Sequence, residues 1–214
     1  MARRPSTSFG NITSDSLDTR PQSAVAGFDD IVRADPVKLS WSAAEAAAAD
    51  TDAVHAAATS LNSGPTTWTT GFTDPPCPRN ITATSGGTAG DIAAGSVVVN
   101  GTDINDQVIQ ETLPTFTQDS GTTVVGSKAF KTITSAVIPD MDGAAASVSL
   151  GFGDKLGLPL LLPATVHHLA TYIDGTVEAT PPTIAKSASV LSSNTLDPDT
   201  ALAGDAVVTY LIPV

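Results

Sequence analysis

From Thr66 to the C-terminus the chain repeats one pattern: a short run rich in Val, Ile, Thr and Ser, then Gly, Pro, Asn or Asp, then the next run. The runs TTVVGS, AFKTITSAVI, ASVSLGFG, HHLATYIDGTVEA, IAKSASVL and AVVTYLI follow one another in this way. Strands that recur roughly every 8–12 residues between turn signals predict an antiparallel sandwich or barrel. No 3.6-period segment interrupts them, which argues against a parallel α/β sheet. The clearest hairpin is SVVVNGTDINDQVIQETL, read as strand, turn, strand, with Asn105 and Asp106 supplying residues that tolerate positive φ.

Upstream the pattern changes twice. Residues 1–41 mix Ser, Thr, Asp, Pro and Gly with isolated apolar residues and sustain no period, so they are read as an extended arm without a core of its own. Such an arm takes its shape from neighbouring molecules, and its length would let it span on the order of 130 Å. Residues 42–64 are read as an Ala-rich helix. Alanine has the highest helix propensity, Ser42 and Glu45 have the spacing of a capping box, and NSGP stops the helix. Its apolar stripe is narrow, Val54 and Leu61 with alanines between, so it needs a docking surface. Residues 65–214 are the sandwich. The expected class is therefore mainly β, with one helix and an arm in front.

Composition limits the chemistry. Charged residues are 15% of the 214 and aromatics 5%, in keeping with strands and turns rather than charged helical surfaces. The chain carries 10 basic against 22 acidic residues, and beyond Asp91 only Lys128, Lys131, Lys155 and Lys186 oppose the acids. That surface repels phosphate, so nucleic acid is not an expected partner. Arg3, Arg4, Arg20 and Arg33 are confined to the arm, where they could meet an acidic protein or stay solvated. The opening MARRPSTSFGNITS has no apolar run of signal-peptide length, and no segment reaches the ~18 apolar residues of a membrane span. Synthesis in the cytoplasm and no membrane partner are expected.

The candidate catalytic groups are few. Cys77, the single cysteine, lies in DPPCPRN between two prolines. Its neighbour Arg79 could lower a thiol pKa but cannot accept a proton, and His55 is distant on the helix, so a buried bystander is expected, in a polyproline-like or edge segment entering the sandwich. His167 and His168 are adjacent, which in a strand sends one ring inward and the other outward and disfavours a shared metal. DMDG at 140–143 resembles half a calcium loop but lacks the alternating oxygen ligands, so a turn is expected. No GxSxG, Walker loop, HExxH or dinucleotide fingerprint occurs, and SGGTAG lacks the lysine and helix that phosphate binding needs. No enzymatic activity, cofactor or metal is expected.

A family resemblance adds to this reading. The succession PRNITATSGGTAGDIAAGSVVVNGTDINDQVIQETL, VVGSKAFKTITSAVIP and GFGDKLGLP, closed by SSNTLDPDTALAGDAVVTYLI, resembles the capsid decoration, cement or head-fibre-like structural proteins of tailed bacteriophages. It covers about residues 72–214. The resemblance implies a β-sandwich-like virion protein on the outer capsid surface, a homotrimer bound to the major capsid protein lattice; it supplies no catalytic residues. Within the arm Phe9, Phe28 and Trp41 are the candidate anchors, because buried aromatics carry much of an interface's energy. The alternative, packing back on their own sandwich, stands beside this. Arg3 and Arg4 would face carboxylates of the shell. Similar sequences are also described as tail or fibre proteins, so a minor tail or host-attachment, carbohydrate-binding role is the second reading. Trp68, Phe72, Phe116, Tyr172 and Tyr210 look too scattered in sequence for a sugar platform.

Overall fold

The computed structural model describes residues 36–162 and 166–213. Among them 49% are in strands and 3% in helical turns, and every strand pairing is antiparallel. The described residues from Val37 onward form one compact unit. Arg3, Arg4, Phe9 and Phe28 lie outside them.

Three sheets build the domain. The first contains β3 (Thr66–Trp68), β5 (Val98–Thr102), β6 (Val108–Thr112) and β8 (Thr132–Ile138), in the order β3-β8-β5-β6. The central sheet contains β2 (Asp50–Ala58), β4 (Arg79–Gly87), β7 (Thr123–Phe130), β9 (Ala146–Gly157), β12 (Thr183–Ala185) and β13 (Thr195–Asp197). Its order is β12-β13-β9-β4-β7, with β2 also paired to β9. The third contains β1 (Val37–Trp41), β10 (Val166–Ile173), β11 (Thr176–Val177) and β14 (Val207–Pro213), in the order β1-β14-β10-β11. The sheets curl into a half-barrel.

Period-2 alternation explains the layering. Ile81 and Ala83 on β4, Val148 and Leu150 on β9, and Val99, Ile133, Ala136 and Ile138 on the first sheet belong to one core, filled further by Phe116 and Phe130. Each fully buried large apolar side chain contributes about 1.5–3 kcal/mol. A second core gathers Trp41, Leu156, Leu196, Val207 and Leu211 beneath the third sheet. Strand β9 is common to both: its first half supplies the first core and Leu156 the second. It is accordingly buried along most of its length rather than alternating.

The hairpin forms as the sequence predicts. Strands β5 and β6 pair from Val98↔Thr112 to Thr102↔Val108, and Asp106 takes φ 60° in the loop. The loop is closed by the Asp103 carboxylate, which accepts from Asn105 N (2.9 Å) and Gln107 N (3.0 Å). Asp174 and Gly175, both at positive φ, turn β10 into β11. DPPCPRN delivers the chain into β4, which is a central strand and not an edge.

The Ala-rich helix is not present. The capping box itself forms, with Ser42 N and Oγ both donating to Glu45 Oε2 at 2.8 Å, and Ala46 N reaches Ser42 O to complete one turn. The chain then straightens into β2, which pairs irregularly with β9 at Asp50↔Phe152, His55↔Leu150 and Ala58↔Val148. Carbonyls of β2 and of the residues leading into it are claimed from elsewhere in the fold: Ala47 O by Arg79, Thr51 O by Ser149 Oγ, Val54 O by Thr73 N. Alanine's advantage is a fraction of a kcal/mol per residue, whereas an uncovered edge of β9 would leave buried polar backbone unpaired. Tertiary pairing wins. The arm also ends earlier than expected, since Val37–Trp41 is strand β1. Trp41 is 7% exposed and sits in the second core, so it packs on its own domain and is not a free anchor.

Candidate functional site

Three stretches far apart in sequence, PRN, VVGSK and GFGDK, converge on one buried polar cluster. Arg79 is fully buried, yet it satisfies its guanidinium: Nε donates to Gly153 O (2.7 Å), NH1 to Ala47 O (2.6 Å), and NH2 faces Asp154 Oδ1 at 3.4 Å. Its guanidinium carbon lies 4.5 Å from the Phe152 ring centroid, a cation–π contact. Burial pulls the Arg79 pKa down, while its electrostatic interactions with Cys77 and Asp154 oppose the shift. Next to it Asn80 donates to Gly126 O (3.2 Å) and accepts from Lys155 N (3.0 Å). Gly153 has no side chain because there is no room for one: a Cβ there would lie 2.6 Å from Asn80 Nδ2.

A buried acid lies beside this cluster. Glu111, 8% exposed, accepts through Oε1 from Ser127 N and Oγ, both at 2.7 Å, and through Oε2 from Lys128 N at 3.1 Å. It ties β6 to β7 across two sheets. The sequence signal was present in QETL, a glutamate on the inward phase of a strand, but nothing in sequence names its partner. Arg79, Asn80 and Glu111 are each engaged by backbone or by a neighbour, so the cluster sets strand register.

Cys77 is buried, and its thiol donates to Glu45 O at 3.3 Å. Burial pushes its pKa from 9.0 up to about 12; Arg79 acts in the opposite direction without overcoming it. The thiol is therefore protonated at neutral pH, as a bystander would be. The stabilisation that goes with this shift is complete below about pH 9 and is lost as pH rises from there towards 12. Native protein at pH 8 is expected to react with Ellman's reagent only at the rate of unfolding, and denatured protein at once; immediate native labelling would contradict the burial.

The histidines divide as expected: His167 is exposed, and His168 is half-buried with Nε2 2.8 Å from Thr171 Oγ1. Thr171 in turn meets Thr209 at 2.9 Å, a buried hydroxyl pair between β10 and β14. Burial lowers the His168 pKa, with Glu178 opposing. DMDG is a turn whose Asp142 and Gly143 amides both donate to Asp91 O, while Asp140 Oδ1 accepts from Gly64 N. Among the described residues no group of three His, Cys, Asp or Glu is placed to hold a metal ion.

The aromatic residues are less scattered than sequence order suggests. His55 stacks on Trp68 with centroids 4.0 Å apart and planes 11° from parallel, and Phe72 tilts against the same imidazole at 5.5 Å. Tyr172 and Tyr210 form an edge-to-face pair on the third sheet, centroids 6.2 Å apart. Phe116 is in the first core. An open groove of about 420 Å³ lies between the Asp103–Gln107 loop and Pro159–Leu161, with Val190 and Ser192 also lining it. Sequence reading did not find this groove, because its walls come from segments that only the fold brings together.

These features define an antiparallel β-rich domain with two cores and a buried polar cluster at the junction of its strands. Comparison with known protein families, curated proteins and solved structures finds no match for this chain. No helix among the described residues is long and apolar enough to cross a membrane.

Proposed function

We propose that the chain is a virion structural protein of a tailed bacteriophage, a capsid decoration or cement protein. It binds the major capsid protein lattice on the outer surface of the head as a homotrimer and stabilises the shell without catalysis. The observation that carries this reading is the convergence just described: the motifs in which the chain resembles that family, PRN, VVGSK and GFGDK, meet at Arg79, Asn80, Gly126 and Lys155. The resemblance thus falls on residues that hold one scaffold together, which is where a structural family would share its sequence. In this reading the segment before β1 reaches across neighbouring subunits, with Phe9 and Phe28 as anchors and Arg3 and Arg4 facing acidic groups. Several such arms on one oligomer would engage at high effective concentration.

Densitometry of purified particles tests the assignment. A copy number commensurate with the capsid lattice is expected; a handful of copies per particle would move the protein to the tail or neck. A variant starting at Pro36 retains β1 and the buried Trp41 and is expected to keep its fold while losing most of its affinity for undecorated shells. Unchanged affinity would remove the arm from the mechanism. The second reading, a tail or host-attachment module that binds carbohydrate, draws on the half-exposed Trp68 and Phe72 beside His55. Against it, one face of the Trp68 indole is already taken by the imidazole, and a sugar needs a free aromatic face. Binding on a glycan array that is lost in Trp68→Ala would favour it.

A further inference from the structure

Glu178, which follows β11, carries a buried oxygen that has no donor. The residue is anchored on both sides of that atom: its N–H donates to Thr171 O (2.8 Å), and its Oε1 accepts from Thr200 N (2.9 Å). Its Oε2 is buried and meets no hydrogen-bond partner among the described residues. A buried carboxylate oxygen left unpaired is costly, so it attracts any donor that becomes available beside it.

The donor that a proton can create there is His168. In the β10–β14 register His168, Thr171 and Ile173 lie opposite Leu211, Thr209 and Val207, so they share the inner face of the third sheet, over the second core. His168 Nε2 is 2.8 Å from Thr171 Oγ1, Thr171 Oγ1 is 2.9 Å from Thr209 Oγ1, and Thr209 Oγ1 donates onward to Ala170 O at 3.4 Å. With Thr209 donating to that carbonyl, Thr171 donates to Thr209 and accepts from His168, so a neutral imidazole protonated at Nε2 completes the chain. The chain of hydroxyls joins β10 to β14 at the bulge between His168 and Ala170, where the backbone ladder is irregular.

An imidazolium in this place has one carboxylate acting on it, Glu178. Lys38, His167, Tyr172 and Tyr210, the other ionisable groups of the four strands, belong by register to the outer face. Cys77, the ionisable member of the second core, is protonated, and Asp199 and Asp205 near Thr200 are exposed. Pairing with Glu178 would draw the ring from Thr171, and staying with Thr171 would leave the charge desolvated. Either course weakens the closed sheet. We infer that His168, Thr171, Thr209 and Glu178 form an acid-sensitive latch: the neutral ring locks β10 to β14, and on protonation it exchanges Thr171 for Glu178 and the third sheet loosens, β1 with it. Burial holds the His168 pKa below the ordinary 6.5, with Glu178 opposing, so the latch contributes fully above pH 6.5 and is lost as pH falls through the lowered value. The inference goes beyond the capsid reading and does not rest on it.

The test is hydrogen exchange of the full chain, followed peptide by peptide at about pH 7.5 and about pH 5 and corrected for intrinsic rates. Amides of β1, β10 and β14 are expected to exchange at least about threefold faster at the lower pH, while those of β4 and β9 change little. His168→Gln keeps an amide donor but cannot take a charge, and is expected to make the third sheet insensitive to pH over this range. Glu178→Gln removes the carboxylate that favours the imidazolium, and is expected to move the onset to lower pH. His167→Gln, on the outer face, is the control expected to behave as wild type. In the unaltered chain an NMR titration should place the His168 ring below 6.5. A His168 that titrates at or above that value would overturn the inference. So would equal loosening of all three sheets, or a His168→Gln variant as sensitive to pH as wild type. If the latch holds and the chain never decorates shells, the capsid reading fails alone.

Discussion

Replacing Arg79 with alanine is expected to destabilise the domain by about 3–5 kcal/mol, read as a fall in the denaturant midpoint at unchanged slope. The magnitude follows from what the guanidinium holds. It is fully buried, it is the hydrogen-bond donor for Gly153 O and Ala47 O, and it faces Asp154. Alanine removes a long side chain from a packed site and leaves buried acceptors without partners, so a cavity cost and a desolvation cost add. For a domain of this size the melting temperature should fall by about 6–20 °C. Arg79→Lys keeps the charge but not the fork, and is expected to lose about half as much. The surface pair between Lys131 and Asp106, 2.7 Å apart with side chains 41% and 69% exposed, is the comparison: Asp106→Asn should change stability by less than ~1 kcal/mol. An Arg79→Ala variant as stable as wild type would mean that the cluster does not hold the strands.

Gly151→Ala is the second large effect expected. Gly151 pairs with Thr82 on β4, and on its other side the backbone of β2 passes so close that a Cβ would land on the Asp50 carbonyl oxygen and lie 2.6 Å from Thr51 Cα. The obstacle is main chain, not the end of a flexible side chain. Accommodation therefore requires β2 to move away from β9, at a cost of about 3 kcal/mol or more. The expected signature is local as well as global. Limited proteolysis should cut within residues 47–58 faster than in wild type, because the displaced segment loses its pairing with β9 and its bond from Ser149. Proteolysis and melting unchanged from wild type would show that β2 does not depend on that close approach. Gly153→Ala, where the crowding atom is the Asn80 side-chain amide, is expected to lose less, about 1–3 kcal/mol.

Much of the architecture was legible in the residues. Hydrophobic alternation and turn chemistry placed the hairpin at Asn105 and Asp106 and separated the rings of His167 and His168. The failure at residues 42–64 is instructive because the local signals there were not misread. Ser42 and Glu45 do form their capping box, and one turn does start. What sequence could not supply was the competing partner, an open edge of β9 and an arginine whose NH1 takes the Ala47 carbonyl. Trp41 shows the same limit in another form. An aromatic at the end of an irregular segment reads equally well as an anchor for a neighbour or as part of its own core, and only the pairing of β1 with β14 places it in the core. The aromatic set split for a similar reason: Trp68 and Phe72 meet over His55, a residue that the helix reading had placed elsewhere.

What the sequence alone determined is local: that the runs beyond Thr66 are strands, where they turn, and that the net charge of the chain is acidic, since alternation, φ preference and net charge are properties of neighbouring residues or of simple sums. Tertiary structure decided which strands pair, and so the fate of the alanine-rich segment and the partners of Arg79, Asn80 and Glu111. Those outcomes depend on distances between residues tens of positions apart, and the free energy that selects them comes from satisfying buried backbone and charge, a requirement that exists only once the chain has closed around its cores.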